Sequence, residues 1–287
     1  MTDPRHDDET GVDTTGHSWD GIEELNNPLP RWWLWTLYLT IIWGVGYSIA
    51  YPAWPMVKGA SEGLLGWSTR ANVATDIAEH DAKNATLVAD LLVADMADLP
   101  QDADLNRYAI ARGRSVFTAQ CSQCHGSGAA GALGYPNLLD DDWLWGGSMD
   151  DIVHSVRHGI RNDTDQDARW SQMPAFKDML TNSEIAATAE YVISLSSPDV
   201  DSDLAQTGAG LFADNCASCH GDAALGDRDL GAPNLADAIW LYGGDRVALT
   251  DTIKNARFGV MPAWGQRLRE EDVRAVAAYV HALGGGE

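Results

Sequence analysis

Two short stretches of the chain carry the residue types of metal chemistry: Cys121-Ser122-Gln123-Cys124-His125 and Cys216-Ala217-Ser218-Cys219-His220. Cys-x-x-Cys-His is the pattern of covalent haem attachment. Each thiol adds to one vinyl group, and two intervening residues on one helical turn set both sulfurs along one porphyrin edge. The adjacent histidine then reaches the iron. All four cysteines of the chain lie in these two stretches, so none remains for a structural disulfide or a separate metal site. A zinc site would draw Cys and His from both stretches into one set, and a thioredoxin-like redox pair would want a strand–helix context that is missing. Two covalently attached haem c groups are expected, with His125 and His220 as axial ligands.

The positioning elements come in two copies. Gly113, Phe117 and Cys121 align without gaps on Gly208, Phe212 and Cys216, and Pro136-Asn137-Leu138 matches Pro233-Asn234-Leu235. Trp143 and Trp240 follow, then Gly146-Gly147 and Gly243-Gly244, then Arg157 and Arg257, then Met173-Pro174-Ala175 and Met261-Pro262-Ala263, and finally Tyr191-Val192 and Tyr279-Val280. Such a series of landmarks marks a tandem duplication. The first copy has extra length around Arg161–Gln172. Each copy reads as a helix ending in the Cys motif, an irregular haem-wrapping stretch, a middle helix and a closing helix. The middle helices fall near Met149–His158 and Arg246–Arg257, and the closing ones near Ser183–Leu195 and Glu270–Leu283.

The repeat points to the remaining site residues. Met173 and Met261 stand at the same repeat position and are the expected sixth ligands; a thioether opposite an imidazole raises the reduction potential. Met149 lacks a matching methionine and reads as packing. His154 and His158 could give bis-histidine ligation but also lack counterparts. Pro136 and Pro233 are expected to offer a carbonyl to the ring N–H of their proximal histidine. Arg157 and Arg257 are candidates to pair with haem propionates. With both axial positions filled, no iron coordination site is left for a substrate, and the chemistry implied is electron relay.

From Trp32 to Tyr51 the chain runs twenty residues without a charge, enough for a helix about 30 Å long, the thickness of a bilayer core. Pro30 and Pro52 bracket it, and Trp32, Trp33, Tyr51 and Trp54 suit the membrane interfaces. The preceding residues are acidic, unlike the basic leader of a signal peptide. Arg31 on one side against Lys58 and Arg70 on the other does not orient the span. Haem attachment does, because c-type haems are attached outside a bacterial inner membrane. A periplasmic C-terminal part and a cytoplasmic N-terminus are therefore expected. A net charge of −23 argues against a nucleic-acid partner and fits either a basic protein partner or simple solubility.

The expected organisation is mainly α: an N-terminal tail over 1–30, a transmembrane helix over 31–52 and a linker with a helix over 53–105. A first class I cytochrome c domain follows over 106–197, a short linker over 198–206 and a second such domain over 207–287. In the 53–105 segment Val73, Ile77, Leu87, Val88, Leu91, Leu92 and Met96 form one apolar helix face.

With these features the chain resembles the membrane-anchored dihaem subunit III of cbb3-type cytochrome c oxidase. The likeness is carried by Asp20-Gly-Ile-Glu-Glu-Leu-Asn-Asn-Pro-Leu-Pro-Arg-Trp-Trp33 and Tyr51-Pro-Ala-Trp-Pro55, and it continues through both haem copies. It implies electron transfer from a soluble or membrane-bound cytochrome c donor, through a monohaem cytochrome c subunit, to a haem–copper catalytic subunit that reduces oxygen and pumps protons. It also implies that the methionines may be exchanged, pairing His125 with Met261 and His220 with Met173. Without the resemblance, pairing within each copy (His125 with Met173, His220 with Met261) is the default. The competing uses of such modules are the dihaem electron-transfer subunit of a periplasmic dehydrogenase and a free-standing anchored shuttle. The 20–33 and 51–55 stretches favour the oxidase.

Overall fold

The computed structural model describes residues 4–237 and 239–287. They fall into two compact units that divide between Lys83 and Asn84. In the first unit, β1 (His6–Asp7), β2 (Val12–Trp19) and β3 (Ile22–Leu25) form an antiparallel sheet in that order, with Thr14 opposite Leu25 and Trp19 opposite Ile22. The segment expected as a tail therefore carries a small sheet. Helix α1 (Arg31–Ala50) follows, then a hairpin of β4 (Pro55–Met56) and β5 (Gly59–Ala60), and then α2 (Thr69–Val93), which runs on past the division.

No residue of α1 is buried, as expected of a helix whose surroundings are lipid. Its serine and threonine hydroxyls are satisfied within the helix: Thr36 donates to the Trp32 carbonyl, Thr40 to Leu37 and Ser48 to Val45. Such satisfaction is what a hydrocarbon medium requires. Past the helix the chain folds back, so that Leu64 and Leu65 N–H groups donate to the Ile49 and Ala50 carbonyls. These acceptors belong to the last turn, which has no intrahelical partners for them.

The second unit continues with α3 (Ala103–Val116), a π-turn over Phe117–Cys121, α4 (Ser122–His125), α5 (Met149–His158) and α6 (Asn182–Ser194). The second copy supplies α7 (Ser202–Asn215), α8 (Ala217–His220), α9 (Arg246–Asn255) and α10 (Glu270–His281). The starts are capped as the sequence pattern demands. Asp102, Ser148, Asp201 and Asp245 accept N–H groups of the first turns of α3, α5, α7 and α9, and Thr181 with Glu184 closes a capping box on α6. The middle helix Arg246–Asn255 stops two residues before the expected Arg257, because Ala256 turns into the left-handed region with φ 54°.

The two cores do not follow the sequence copies. Leu105, Ala109 and Phe117 of the first copy, with Ile152, Val153 and Val156 of α5, pack against Val273, Val276 and Val280 of α10. Phe212 of the second copy, with Leu249 and Ile253 of α9, packs against Ile185, Ala189 and Val192 of α6. Each core thus takes its closing helix from the other copy, and the segments 106–197 and 207–287 are interleaved. Leu91, Met96 and Leu99 also enter the first core, whereas Val73 and Ile77 of α2 stay exposed.

Ion pairs cross between the copies as well. Glu190 of α6 is buried and takes a fork from Arg246, the first residue of α9, at 2.6 and 2.8 Å. Its Oε1 also accepts the Asp201 N–H at 2.7 Å. The matched positions in the first core are Met149 and Ala278, both buried and apolar. The Arg246 bonds hold the Glu190 carboxyl down at about 2, from an ordinary 4.5. A carboxyl depressed on folding stabilises the fold fully above its unfolded pKa and loses that contribution as pH falls toward 2. Glu190→Gln should therefore lower unfolding free energy by about 1–2 kcal/mol at pH 7, since Arg246 is solvent-exposed and the pair is screened. Urea unfolding between pH 7 and pH 3 checks this: the gap between the two proteins should shrink below pH 4.5. A gap that is constant with pH would rule the pair out as its source.

Candidate haem sites

Each Cys motif sits where a helix ends. In the first, the π-turn delivers Cys121 against the core and α4 carries Cys124 outward; in the second, α7 ends at Cys216 and α8 carries Cys219 outward. Cys121 and Cys216 are partly buried and pack on the first and second core respectively, while Cys124 and Cys219 are exposed. Burial, with the neighbouring thiol adding, pushes Cys121 and Cys216 up to about 11. No disulfide joins any of the four cysteines.

The two histidines are held alike. His125 Nδ1 lies 3.1 Å from the Pro136 carbonyl and His220 Nδ1 lies 3.1 Å from that of Pro233. A carbonyl can only accept, so Nδ1 carries the proton and Nε2 keeps its lone pair for a metal. Burial outweighs this bond and lowers both histidine pKa values, which favours the neutral, ligating imidazole. The loops that bring the prolines round are near copies. Gly131 N–H donates to the His125 carbonyl and Gly226 N–H to that of His220, both at 2.9 Å. At Gly131 (φ 69°) a Cβ would fall 2.7 Å from the Asn137 nitrogen, and at Gly226 (φ 81°) 2.8 Å from that of Asn234. Only glycine lets these loops close on themselves. Two sulfurs one turn apart beside an imidazole fixed through its far nitrogen fit a covalently held haem c at each motif.

The methionines lie across the exchange. Met261 packs on the first core, the one that holds Cys121; Met173 packs on the second, with Cys216, Leu235 and Trp240. The backbone of Met261 is clamped by the first copy: its N–H donates to the Ile160 carbonyl at 2.9 Å, and its carbonyl accepts from Ile160 N–H at 3.0 Å and from Asn162 Nδ2 at 3.2 Å. Met149 is buried in the first core.

Arg157 and Arg257 each have partners within the protein. Arg157 forks on Glu270 at the start of α10, with Nε at 3.2 Å and Nη2 closer. Arg257 donates to the Ala248 carbonyl at 2.6 Å and to Thr252 Oγ1, and its guanidinium lies 5.0 Å from the Tyr242 ring centre. These contacts fasten helix ends. His154 and His158 face each other with ring centres 4.8 Å apart; His158 Nδ1 meets Asp165 at 3.1 Å and His154 Nδ1 meets Arg169 at 3.3 Å. Sequence reasoning passed over Trp145 and Arg161, which stack at 5.6 Å between the two haem loops. The signal for Trp145 was its repeat alignment with Tyr242; Arg161 lies in the extra length and has none.

A helical bundle with two Cys-x-x-Cys-His motifs, each backed by a fixed imidazole, defines a c-type cytochrome. Residues 11–58 match the family model for the N-terminal domain of cytochrome oxidase-cbb3, FixP. Residues 109–192 and 203–280 each match that for cytochrome c oxidase, cbb3-type, subunit III. The chain is 58% identical to the cbb3-type cytochrome c oxidase subunit CcoP of Cereibacter sphaeroides over 96% of its own length and 95% of that protein's. It is 50% identical to the subunit FixP of Sinorhizobium medicae over 99% and 98%, and 46% identical to the FixPc of Rhizobium leguminosarum bv. viciae over the full length of both. The chain belongs to the cbb3-type cytochrome c oxidase subunit III family. It is a haem c protein and an electron-transfer subunit of an oxidoreductase complex.

Proposed function

We propose that the chain holds two covalent haem c groups and passes electrons from a periplasmic cytochrome c, through a monohaem subunit, to the haem–copper subunit that reduces oxygen and pumps protons. When bound, haem c supplies a one-electron iron couple. The chain's residues do the rest. Cys121 and Cys124, and Cys216 and Cys219, tether the porphyrin edges; His125 and His220 ligate through Nε2, with Pro136 and Pro233 fixing ring orientation. Met261 serves the His125 site and Met173 the His220 site. The observation that carries this pairing is the clamp of Met261 to Ile160 and Asn162, which anchors a second-copy methionine against the first core.

Helix α1 anchors the chain in the inner membrane, with the haem cores in the periplasm and residues before Arg31 in the cytoplasm. Its length, its exposed apolar surface and its internally bonded hydroxyls support that reading. Purification from membranes in mild detergent tests the assignment. The chain should co-elute with b-type haem and copper and should show two haem c per chain by pyridine haemochrome. Elution alone, or one haem per chain, would overturn it.

A further inference from the structure

Between α1 and α2 the chain runs through residues 52–68, none of which is buried. The apolar side chains of this segment point outward. Trp54, Met56, Leu64, Leu65 and Trp67 are exposed, and Val57, in the two-residue turn between β4 and β5, is fully so. Lys58 and Glu62 are the only charged residues of the segment. A hairpin of two residues a strand with no core beneath it is marginal in water. A cluster of exposed apolar side chains of this size marks a partner or a membrane.

Hydrogen bonds and one glycine fix the segment to the end of α1. Leu64 N–H donates to the Ile49 carbonyl at 2.9 Å and Leu65 N–H to that of Ala50 at 3.0 Å. Gly63 (φ 73°) presses on the same turn, where a Cβ would come 2.5 Å from the Ala50 oxygen, and only glycine fits there. Ser61 Oγ accepts the Ala53 and Trp54 N–H groups at 3.3 and 3.1 Å, and Ser61 N–H donates to the Trp54 carbonyl at 2.9 Å. These pairings leave fewer backbone groups in need of water, as a water-poor layer requires. Tyr51 stacks on Tyr47 with ring centres 4.7 Å apart and meets Trp67 edge-on at 6.0 Å. Tyr and Trp are the residues of the membrane–water interface. Since no residue of α1 is buried, the exposed apolar surface of the span runs on into that of the segment.

We propose that residues 53–67 lie in the phospholipid headgroup layer at the C-terminal end of α1, as a second membrane element beside the span. The proposal rests on the reading of α1 as a transmembrane helix. Trp54, Met56, Val57, Leu64 and Leu65 face the boundary with the acyl chains, while the Lys58 ammonium, next to Val57 in the turn, reaches lipid phosphates on its apolar stem. Two observations favour lipid over another protein chain as the occupant. The patch is continuous with the surface of the span, and Val57 stands clear of the fold on every side, which suits a fluid medium that closes around it.

The test is photocrosslinking of the assembled complex in native membranes. The photoreactive residue p-benzoylphenylalanine replaces Val57 or Leu64 and, for reference, Leu39 or Ile41, which lie on opposite faces of α1. All four side chains are exposed, so the label displaces no core residue. After irradiation and removal of free lipid, the chain labelled at Val57 or at Leu64 should gain the mass of one phospholipid, at a yield approaching that of the span. A cross-link to another subunit in place of lipid, or no adduct, at either position would overturn the proposal. Met56 of the same hairpin replaces a position whose variant fails to assemble. Failure of the underlying reading looks different: neither Leu39 nor Ile41 would take lipid.

Discussion

Met261→Leu should lower the midpoint potential of the haem attached at Cys121 and Cys124 and leave the other haem unmoved, although Met261 belongs to the second copy. Met173→Leu should do the converse. The expected fall is on the order of a hundred millivolts, since the axial ligands set haem potentials over about 0.8 V and a thioether is the ligand that favours the reduced iron. The argument rests on which core each methionine joins. Met261 and Cys121 pack on one core and Met173 and Cys216 on the other, and two backbone hydrogen bonds tie Met261 to Ile160 of the first copy. Leucine keeps the volume and removes only the sulfur, so the fold should stay and the potential should move. Spectroelectrochemical titration with assigned haem signals reads the result. A shift confined to the haem of the methionine's own copy would defeat the pairing.

That pairing shows where sequence reading reaches its limit. The Cys motifs, the prolines that meet His125 and His220, and the span Met149–His158 can all be read from residue types and local spacing. Ser148 caps that helix and Gly159 ends it, each within one residue of the expected bounds. The exchange of α6 and α10 cannot be read so, because the two helices are repeat copies with equivalent apolar faces. Either could fill either core, and the polar linker before Ser202 permits both. The same ambiguity hid the partner of Arg157. A matched repeat position shows that a residue is kept in place, but the carboxylate it meets, Glu270, comes from the other copy. The N-terminal sheet escaped for a different reason. Val12–Trp19 mixes Asp13, Gly16 and His17 among few apolar residues, its only buried side chain being Thr14, and a bulge between Thr14 and Ser18 breaks the period-two pattern.

The exchanged helices meet their partners at two glycines, and neither crossing has room for a side chain. At Gly113 of α3 a Cβ would overlap the Ala275 carbonyl and lie 2.8 Å from the Tyr279 Cβ of α10. At Gly208 of α7 it would overlap the Ala187 carbonyl and lie 2.8 Å from the Tyr191 Cβ of α6. The neighbours are backbone, which cannot rotate aside as a flexible side chain can, so even alanine must push the helices apart. Overpacking of this kind costs about 1–3 kcal/mol and can cost more. Alanine's better helix propensity returns at most ~1 kcal/mol. Gly208→Ala should therefore lower unfolding free energy by about 2 kcal/mol and loosen the tilted contact of Tyr191 with Phe212, whose ring centres are 5.1 Å apart. Gly210 of the same helix has nothing within 4 Å of its Cβ position, so Gly210→Ala should stabilise by up to ~1 kcal/mol. Urea unfolding of the two variants gives opposite signs if α6 of one copy closes on α7 of the other. Equal effects at 208 and 210 would mean that α7 does not meet a closing helix at Gly208.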